Sequence, residues 1–425
     1  MDGKLDYNCR SLRAGFMTRM TAVTDWAERF SPYGKRAKAS EIRELLKLLD
    51  QPDIISFAGG IPDPKLFPRQ LMADVHAEIF GDEATSNMAL QYSVSEGYGP
   101  LRDLLVAEMK SLGITCTRDN IVITNGSQQG LDLLGRLFIG PGDKVLVARP
   151  TYLGLLQAFT ASGPVYDDIA KLTGPEAISA KLAYAMPDFQ NPSGETMTLA
   201  EREALLDGAR RSDLVLLEDT AYNKLSFDGP LLPSLMELDI AREGGIENSR
   251  VVYCGTFSKS VVPGLRVGWI VAASPIIQKL VLMKQAADLH TSTLAQVALA
   301  KVIERLPADH AETLCATYRP RRDAMVAALD EFMPEGVTFT RPGGGMFIWV
   351  TLPEGFDGAT LLARAIEQER VAFVPGSAFY AGPPAANTLR LSFSATCPDK
   401  IREGIRRLGS LIAREHNSMT QARSA

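Results

Sequence analysis

Six short apolar runs between residues 121 and 271 limit what this chain can fold into more than any other feature. They lie at 121–124 (IVIT), 145–148 (VLVA), 182–186 (LAYAM), 214–217 (LVLL), 251–254 (VVYC) and 267–271 (VGWIV). None alternates apolar with polar residues, so each must be buried on both faces, which an α/β sheet with helices on either side provides. Between most of them run stretches of 3.6-residue periodicity, such as 128–138 and 199–210. Pro-Gly-Asp at 141–143 and Asn-Pro-Ser-Gly at 191–194 punctuate the turns. The reading for about 55–275 is therefore an α/β domain.

After residue 275 the pattern changes. Helical segments at 276–289 and 293–306 lead to a long one at 309–332. Strands near 337–340 and 346–352, a helix near 358–368, strands near 371–374 and 388–393, and a last helix over 398–414 follow. This predicts a second, smaller α+β domain. Ile42, Leu45, Leu46 and Leu49 form a helical stripe that needs a surface. The expected division is an N-terminal arm and helix over 1–55 packing with the small domain, a large domain over 56–308, and the small domain over 309–425. The tail after about 415 is expected to be disordered.

Composition narrows the function classes. With 425 residues, a net charge of −5 and a pI of about 5.6, nothing argues for nucleic acid or an anionic membrane surface as partner. No apolar run is long enough for a spanning helix. Five cysteines without a CxxC read as reduced thiols in a cytoplasmic protein. Four histidines and no HExxH supply zinc or histidine-centred chemistry poorly, so no metal is expected. The first 38 residues hold eight Lys/Arg against four acids, too acidic for a transit peptide, and read as a flexible or partner-embracing arm.

Four segments fall at the carboxyl ends of predicted strands, the edge where open α/β sheets bind ligands. TNGSQQG at 124–130 runs from strand through a glycine turn into a helix, an anion site by its free N–H groups, although an N-cap by Ser127 explains it about as well. PDFQNPSG at 187–194 holds Asn191, which also reads as a turn residue before proline. LLEDTAY at 216–222 ends an apolar strand on two acids, a cation's partner or a helix cap. GTFSKSVVPGLRVG at 255–268 sets Lys259 between an apolar strand and VVPGL, a poor place for a solvated ammonium and a good one for a Schiff-base lysine. Together they describe an anion cradle, a carboxylate, a phenol and a lysine, the set that pyridoxal 5′-phosphate (PLP) needs.

With these motifs stand SFAGGIP at 56–62, LQYS at 90–93, EGY at 96–98 and LRLSF at 389–393. In this order the sequence resembles the fold-type-I PLP-dependent aminotransferases of class I/II, within them the 2-aminoadipate and kynurenine aminotransferase branch. The resemblance runs from about Ser40 to the last helix. It implies a mostly parallel seven-stranded sheet sandwiched by helices, and a homodimer with shared sites. It implies Lys259 as the cofactor-bonded lysine and proton shuttle, Asp219 on the ring nitrogen, Tyr222 and Asn191 on the ring hydroxyl, and Tyr152 on the ring face. Ser127, Gln128, Thr256, Ser258 and Arg266 would hold the phosphate, with Tyr92 reaching the neighbouring subunit's phosphate. Arg390, assisted by Asn191, would bind the substrate α-carboxylate. Gly60 lies in a loop over the substrate, and Arg43 would meet its side chain, unless Arg43 is a solvated helix residue. Two departures stand out: Thr220-Ala221 precedes Tyr222 where Asp-Pro is common, and Thr256 stands where serine is usual. The implied reaction moves an amino group between an L-amino acid and a 2-oxo acid such as 2-oxoglutarate. A PLP lyase, decarboxylase or racemase on the same fold is the alternative. A PLP-sensing regulator is disfavoured, because only about 40 residues precede the match.

Overall fold

The computed structural model describes residues 25–37 and 53–424. Its strands are β1 (Ile55–Ser56), β2 (Ile121–Thr124), β3 (Lys144–Val147), β4 (Val165–Asp168), β5 (Leu182–Ala185), β6 (Val215–Asp219), β7 (Val251–Thr256), β8 (Gly268–Val271), β9 (Thr338–Phe339), β10 (Phe347–Thr351), β11 (Val371–Ala372), β12 (Val374–Pro375) and β13 (Thr388–Ser392). Seven of them form one sheet in the order β2-β8-β7-β6-β5-β3-β4, in which only β8 runs against its neighbours.

Alternation along each strand explains the unbroken apolar runs. Val122, Val145, Val147, Leu182, Tyr184, Leu217, Val252, Cys254 and Ile270 join one core. Their sequence neighbours Ile121, Ile123, Leu146, Ala183, Leu216, Val251, Tyr253 and Val271 join another on the opposite face. Helices cover both faces. Gly126–Phe138, Ser274–Ala287 and His310–Phe332 contribute to the first core, while Arg69–Gly81, Gly99–Ser111, Leu199–Arg211, Leu235–Glu243 and Thr293–Ile303 contribute to the second.

The seventh strand, β4, is one that the apolar runs do not reveal. It is an edge strand with no buried residue, and its sequence VYDD carries two acids. Such an edge needs no apolar run on either face. Beyond the sheet, β12-β13-β10-β9 form an antiparallel four-stranded sheet, and β1 pairs in parallel with β11.

The last helix corrects the expected tail. It spans Pro398–Ser424 instead of ending near 414. Its earlier turns bury Ile401, Ile405, Leu408, Leu411 and Ile412. Past that point Glu415 pairs with Arg364, the His416 ring stacks on Phe356 at 6.2 Å, and Met419 packs against the core. These anchors give the later turns a tertiary reason to stay helical.

At the other end, Asp25 and Ser31 cap two short helices, Trp26–Arg29 and Pro32–Arg36. Arg36 donates to the carbonyls of Thr160 and Ala161 at 3.2 and 3.1 Å. Arg43 and the stripe Ile42, Leu45, Leu46 and Leu49 lie outside the described residues.

Candidate active site

The carboxyl ends of β2, β5, β6 and β7 open on a cavity of about 880 Å³. Twelve of the fourteen residues singled out in the sequence line it: Gly60, Ser127, Gln128, Tyr152, Asn191, Asp219, Tyr222, Thr256, Ser258, Lys259, Arg266 and Arg390. Tyr92 does not. It lies on the surface, 78% exposed, with its ring edge-on to His290. The mouth is completed by Tyr33 and Ala37 of the N-terminal segment that Arg36 ties down.

The two acids ending β6 point to opposite faces, as successive strand residues must. Glu218 accepts hydrogen bonds from Leu235 N and Met236 N (2.8 and 2.9 Å), the open start of the helix Leu235–Glu243. The helix-cap reading therefore holds for Glu218, whose carboxyl burial pushes up to about 7. Asp219 faces the cavity instead. The Tyr184 hydroxyl donates to its Oδ2 at 2.9 Å, while Oδ1 is buried and accepts no hydrogen bond among the described residues. Burial raises its pKa to about 6, although the Tyr184 hydroxyl and the nearby Ala221 amide pull the other way. A buried carboxylate oxygen left open in this way calls for a donor that is not part of the protein.

Lys259 follows β7. Among the described residues its Nζ donates to the Gly60 carbonyl alone, at 3.0 Å. Burial, with Arg266 and Arg390 nearby, lowers its pKa to about 8. Desolvation disfavours the charged form of a lysine, so the amine is neutral in an appreciable fraction at physiological pH.

Arg390, on β13, is 3% exposed and has no acidic partner among the described residues. Its Nη1 donates to Asn191 Oδ1 (2.9 Å) and Nη2 to the Ala58 carbonyl (3.0 Å). The guanidinium lies over the rings of Phe347 and Phe379, at 4.2 and 4.9 Å from their centroids. Burial brings its pKa down to about 10. The other end of Asn191 donates from Nδ2 to the Tyr222 hydroxyl at 3.3 Å. Phe347, Phe379 and Tyr184 are site residues that the sequence reading missed. Tyr184 had one signal: a hydroxyl inside an unbroken apolar strand needs a partner.

An anion cradle forms where β2 meets the helix Gly126–Phe138. Ser127 is the second residue of that helix and not its cap, which overturns the capping alternative. The backbone N–H groups of Ser127 and Gln128 find no acceptor among the described residues. The Gln128 side chain donates one Nε2 hydrogen to the Gly154 carbonyl at 2.7 Å, and its main-chain N–H stays open to an anion. Opposite stand Thr256 and Ser258, whose hydroxyls are 3.0 Å apart, and Arg266, which adopts a left-handed backbone (φ 54°) and donates to Ser258 at 3.4 Å. Gly126 permits the approach: a Cβ there would sit 2.6 Å from Arg266 Nη2. With Lys259, Arg266 and Arg390 against Asp219, the cavity suits a ligand of more than one negative charge.

Comparison with known proteins gives the family. A family model described as aminotransferase class I and II matches residues 52–408. The chain is 42% identical over 408 residues to an aromatic-amino-acid aminotransferase of Thermococcus litoralis, covering 92% of this chain and 95% of that one. It is 43% identical over 397 residues to a 2-aminoadipate transaminase of Thermus thermophilus, covering 91% and 97%. Among solved structures, the kynurenine aminotransferase of Pyrococcus horikoshii in complex with PMP superposes with a TM-score of 0.84 at 44% identity, covering 92% of this chain and 98% of that one.

Proposed function

The chain belongs to the class I and II aminotransferases, and from that premise we propose how its own residues divide the work of moving an amino group. The reaction is PLP-dependent transamination between an amino acid and a 2-oxo acid. The observation that carries the assignment of residues is the meeting in one cavity of Lys259, Asp219 with its open oxygen, and Arg390, which has no acidic partner among the described residues.

The residues fit the cofactor. Asp219 Oδ1 is the buried acceptor for a ring N–H, and Tyr222 and Asn191 offer polar atoms for a ring hydroxyl. The free N–H groups of Ser127 and Gln128, with Thr256, Ser258 and Arg266, would hold the phosphate, and Tyr152 would supply the ring face. When bound, PLP provides the electron sink that makes the substrate's α-proton acidic. Arg390 receives the substrate α-carboxylate, because a buried guanidinium held by two neutral acceptors retains donors for one bidentate anion. Asn191 fixes that guanidinium and the Tyr222 hydroxyl at once. Lys259 Nζ, neutral near its lowered pKa, accepts the α-proton and returns it. Mixing the yellow enzyme with single amino acids and following its absorbance tests this reading. Conversion by any of them supports it, and no conversion by any donor overturns it.

The donor range we propose covers 2-aminoadipate or glutamate together with aromatic and long aliphatic amino acids, with 2-oxoglutarate as an acceptor. The relatives named for aromatic, 2-aminoadipate and kynurenine substrates support it. Arg43 is the residue proposed to meet the side chain, as a fork to a carboxylate or a flat face to a ring. The active unit proposed is a homodimer in the cytoplasm, with the domain division at about 55 and 308. Exposed Leu90, Tyr92, Val94 and Leu289 support a subunit interface. The free thiols Cys116, Cys254, Cys315 and Cys397 fit a reducing compartment, and no described helix is long and apolar enough to cross a membrane.

A further inference from the structure

Behind the anion cradle lies a closed polar ring that lines no part of the cavity. Lys284, fully buried, donates from Nζ to both oxygens of Asp288 (3.0 and 2.8 Å) and to Gln129 Oε1 (2.9 Å). Gln129 Nε2 and Asn125 Nδ2 both donate to Asp288 Oδ2, at 2.7 and 2.5 Å. Gln129 Oε1 also accepts from the Asn125 backbone N–H at 2.8 Å. Asp288 ends the helix Ser274–Ala287, so the ring ties that helix to the start of Gly126–Phe138.

Asn125 stands at the N-cap of Gly126–Phe138, and an asparagine there ordinarily accepts a hydrogen bond from an N–H of the first turn. Two other helices of this chain show the ordinary case. Thr198 (ψ 160°) accepts from Glu201 N and Ser234 (ψ 162°) from Glu237 N. Asn125 instead has ψ 70° and makes no capping bond, and its Nδ2 donates to Asp288. The N–H groups of Ser127 and Gln128 are left without an acceptor among the described residues.

We propose that Asp288, held by Lys284, keeps Asn125 from capping its helix and so reserves the first-turn N–H groups for the phosphate of the cofactor. Asp288, Lys284 and Asn125 are then positioning residues that touch neither cofactor nor substrate. The proposal rests on the reading above that the phosphate sits at Ser127–Gln128.

The test compares dissociation constants of the full chain for PLP and for pyridoxal, which lacks the phosphate, by equilibrium dialysis. Lys284→Met with Asp288→Ser removes both charges together, so no unpaired buried charge remains. It should weaken PLP about tenfold or more, the scale of one or two charge-assisted hydrogen bonds, and pyridoxal less than about twofold. Adding Asn125→Ala, which cannot cap, should restore most of the PLP affinity. Equal weakening of PLP and pyridoxal, or no recovery with Asn125→Ala, overturns the proposal. Asp288→Asn, which keeps size and shape, is read in parallel for the same ratio in case the double variant does not fold. Arg266→Ala separates the two readings. If it leaves the PLP-to-pyridoxal ratio unchanged, the phosphate placement itself is wrong. If it shifts the ratio while the ring variants do not, only the present proposal falls.

Discussion

Replacing Asp219 by asparagine keeps the side chain's shape and removes its charge. Tyr184 retains an acceptor, but the open Oδ1 position no longer holds an anion for a ring N–H. Turnover of Asp219→Asn should fall by a factor on the order of 100 or more, the loss of a buried charge-assisted partner in the transition state. Glu218→Gln should leave turnover within a few-fold and cost about 1 kcal/mol of stability, since Glu218 serves Leu235 N and Met236 N on the other face. Steady-state rates and thermal unfolding of the two variants check the pair, and the reverse ranking would exchange the acids' roles. Lys259 gives a pH prediction. Only the neutral amine attacks an aldehyde, and a pKa lowered to about 8 means that the neutral fraction rises as pH climbs through 8. In chain freed of cofactor, PLP capture at Lys259, trapped by borohydride and located by mass spectrometry, should increase with pH and level off above about 9. A rise continuing past pH 10 would place Lys259 among ordinary surface lysines.

Among the elements, the contact of β8 with the helix Gly126–Phe138 fixes the cradle. A Cβ on Gly268 would lie 2.5 Å from Ser127 N and 2.6 Å from Gly126 C. Both are backbone atoms that cannot swing aside. Gly268→Ala should push the strand off the first helical turn, costing roughly 1–3 kcal/mol of stability. PLP affinity should fall with it. Cofactor titration and thermal unfolding read the two effects, and unchanged PLP affinity would detach the cradle from this contact.

For the molecule as a whole, Tyr92 sets the expectation. It is exposed beside exposed Leu90 and Val94, and the proposed homodimer would turn it towards a neighbouring subunit. Lys259→Ala should abolish turnover, and Tyr92→Phe should weaken it by about tenfold, one charge-assisted hydrogen bond. Hybrid dimers of the two should regain activity, because one site then carries both lesions and the other neither. No recovery in isolated hybrids would mean that Tyr92 serves only its own subunit. At the substrate, Arg43→Ala should raise KM for dicarboxylic donors by a factor on the order of 10 or more over neutral ones. Equal losses for glutamate and leucine would show that Arg43 only supports the fold.

Burial on both faces requires apolar residues at every strand position, so the six runs between 121 and 271 were already an α/β sheet in the sequence. The ligand edge followed, since Gly126, Asn191, Asp219 and Lys259 each come just after such a run. What one strand could not announce was the direction of its side chains relative to other elements. Alternation puts Glu218 and Asp219 on opposite faces, but only the fold shows that a helix start lies on Glu218's side of β6 and Tyr184 on Asp219's. The aromatic rings around Arg390 come from Phe347 and Phe379, which only the folded chain brings to one guanidinium. Edge strand β4 and the last turns of Pro398–Ser424 carry no strong local signal either. Their order comes from neighbours across the fold, whereas periodicity records only what each segment buries on its own.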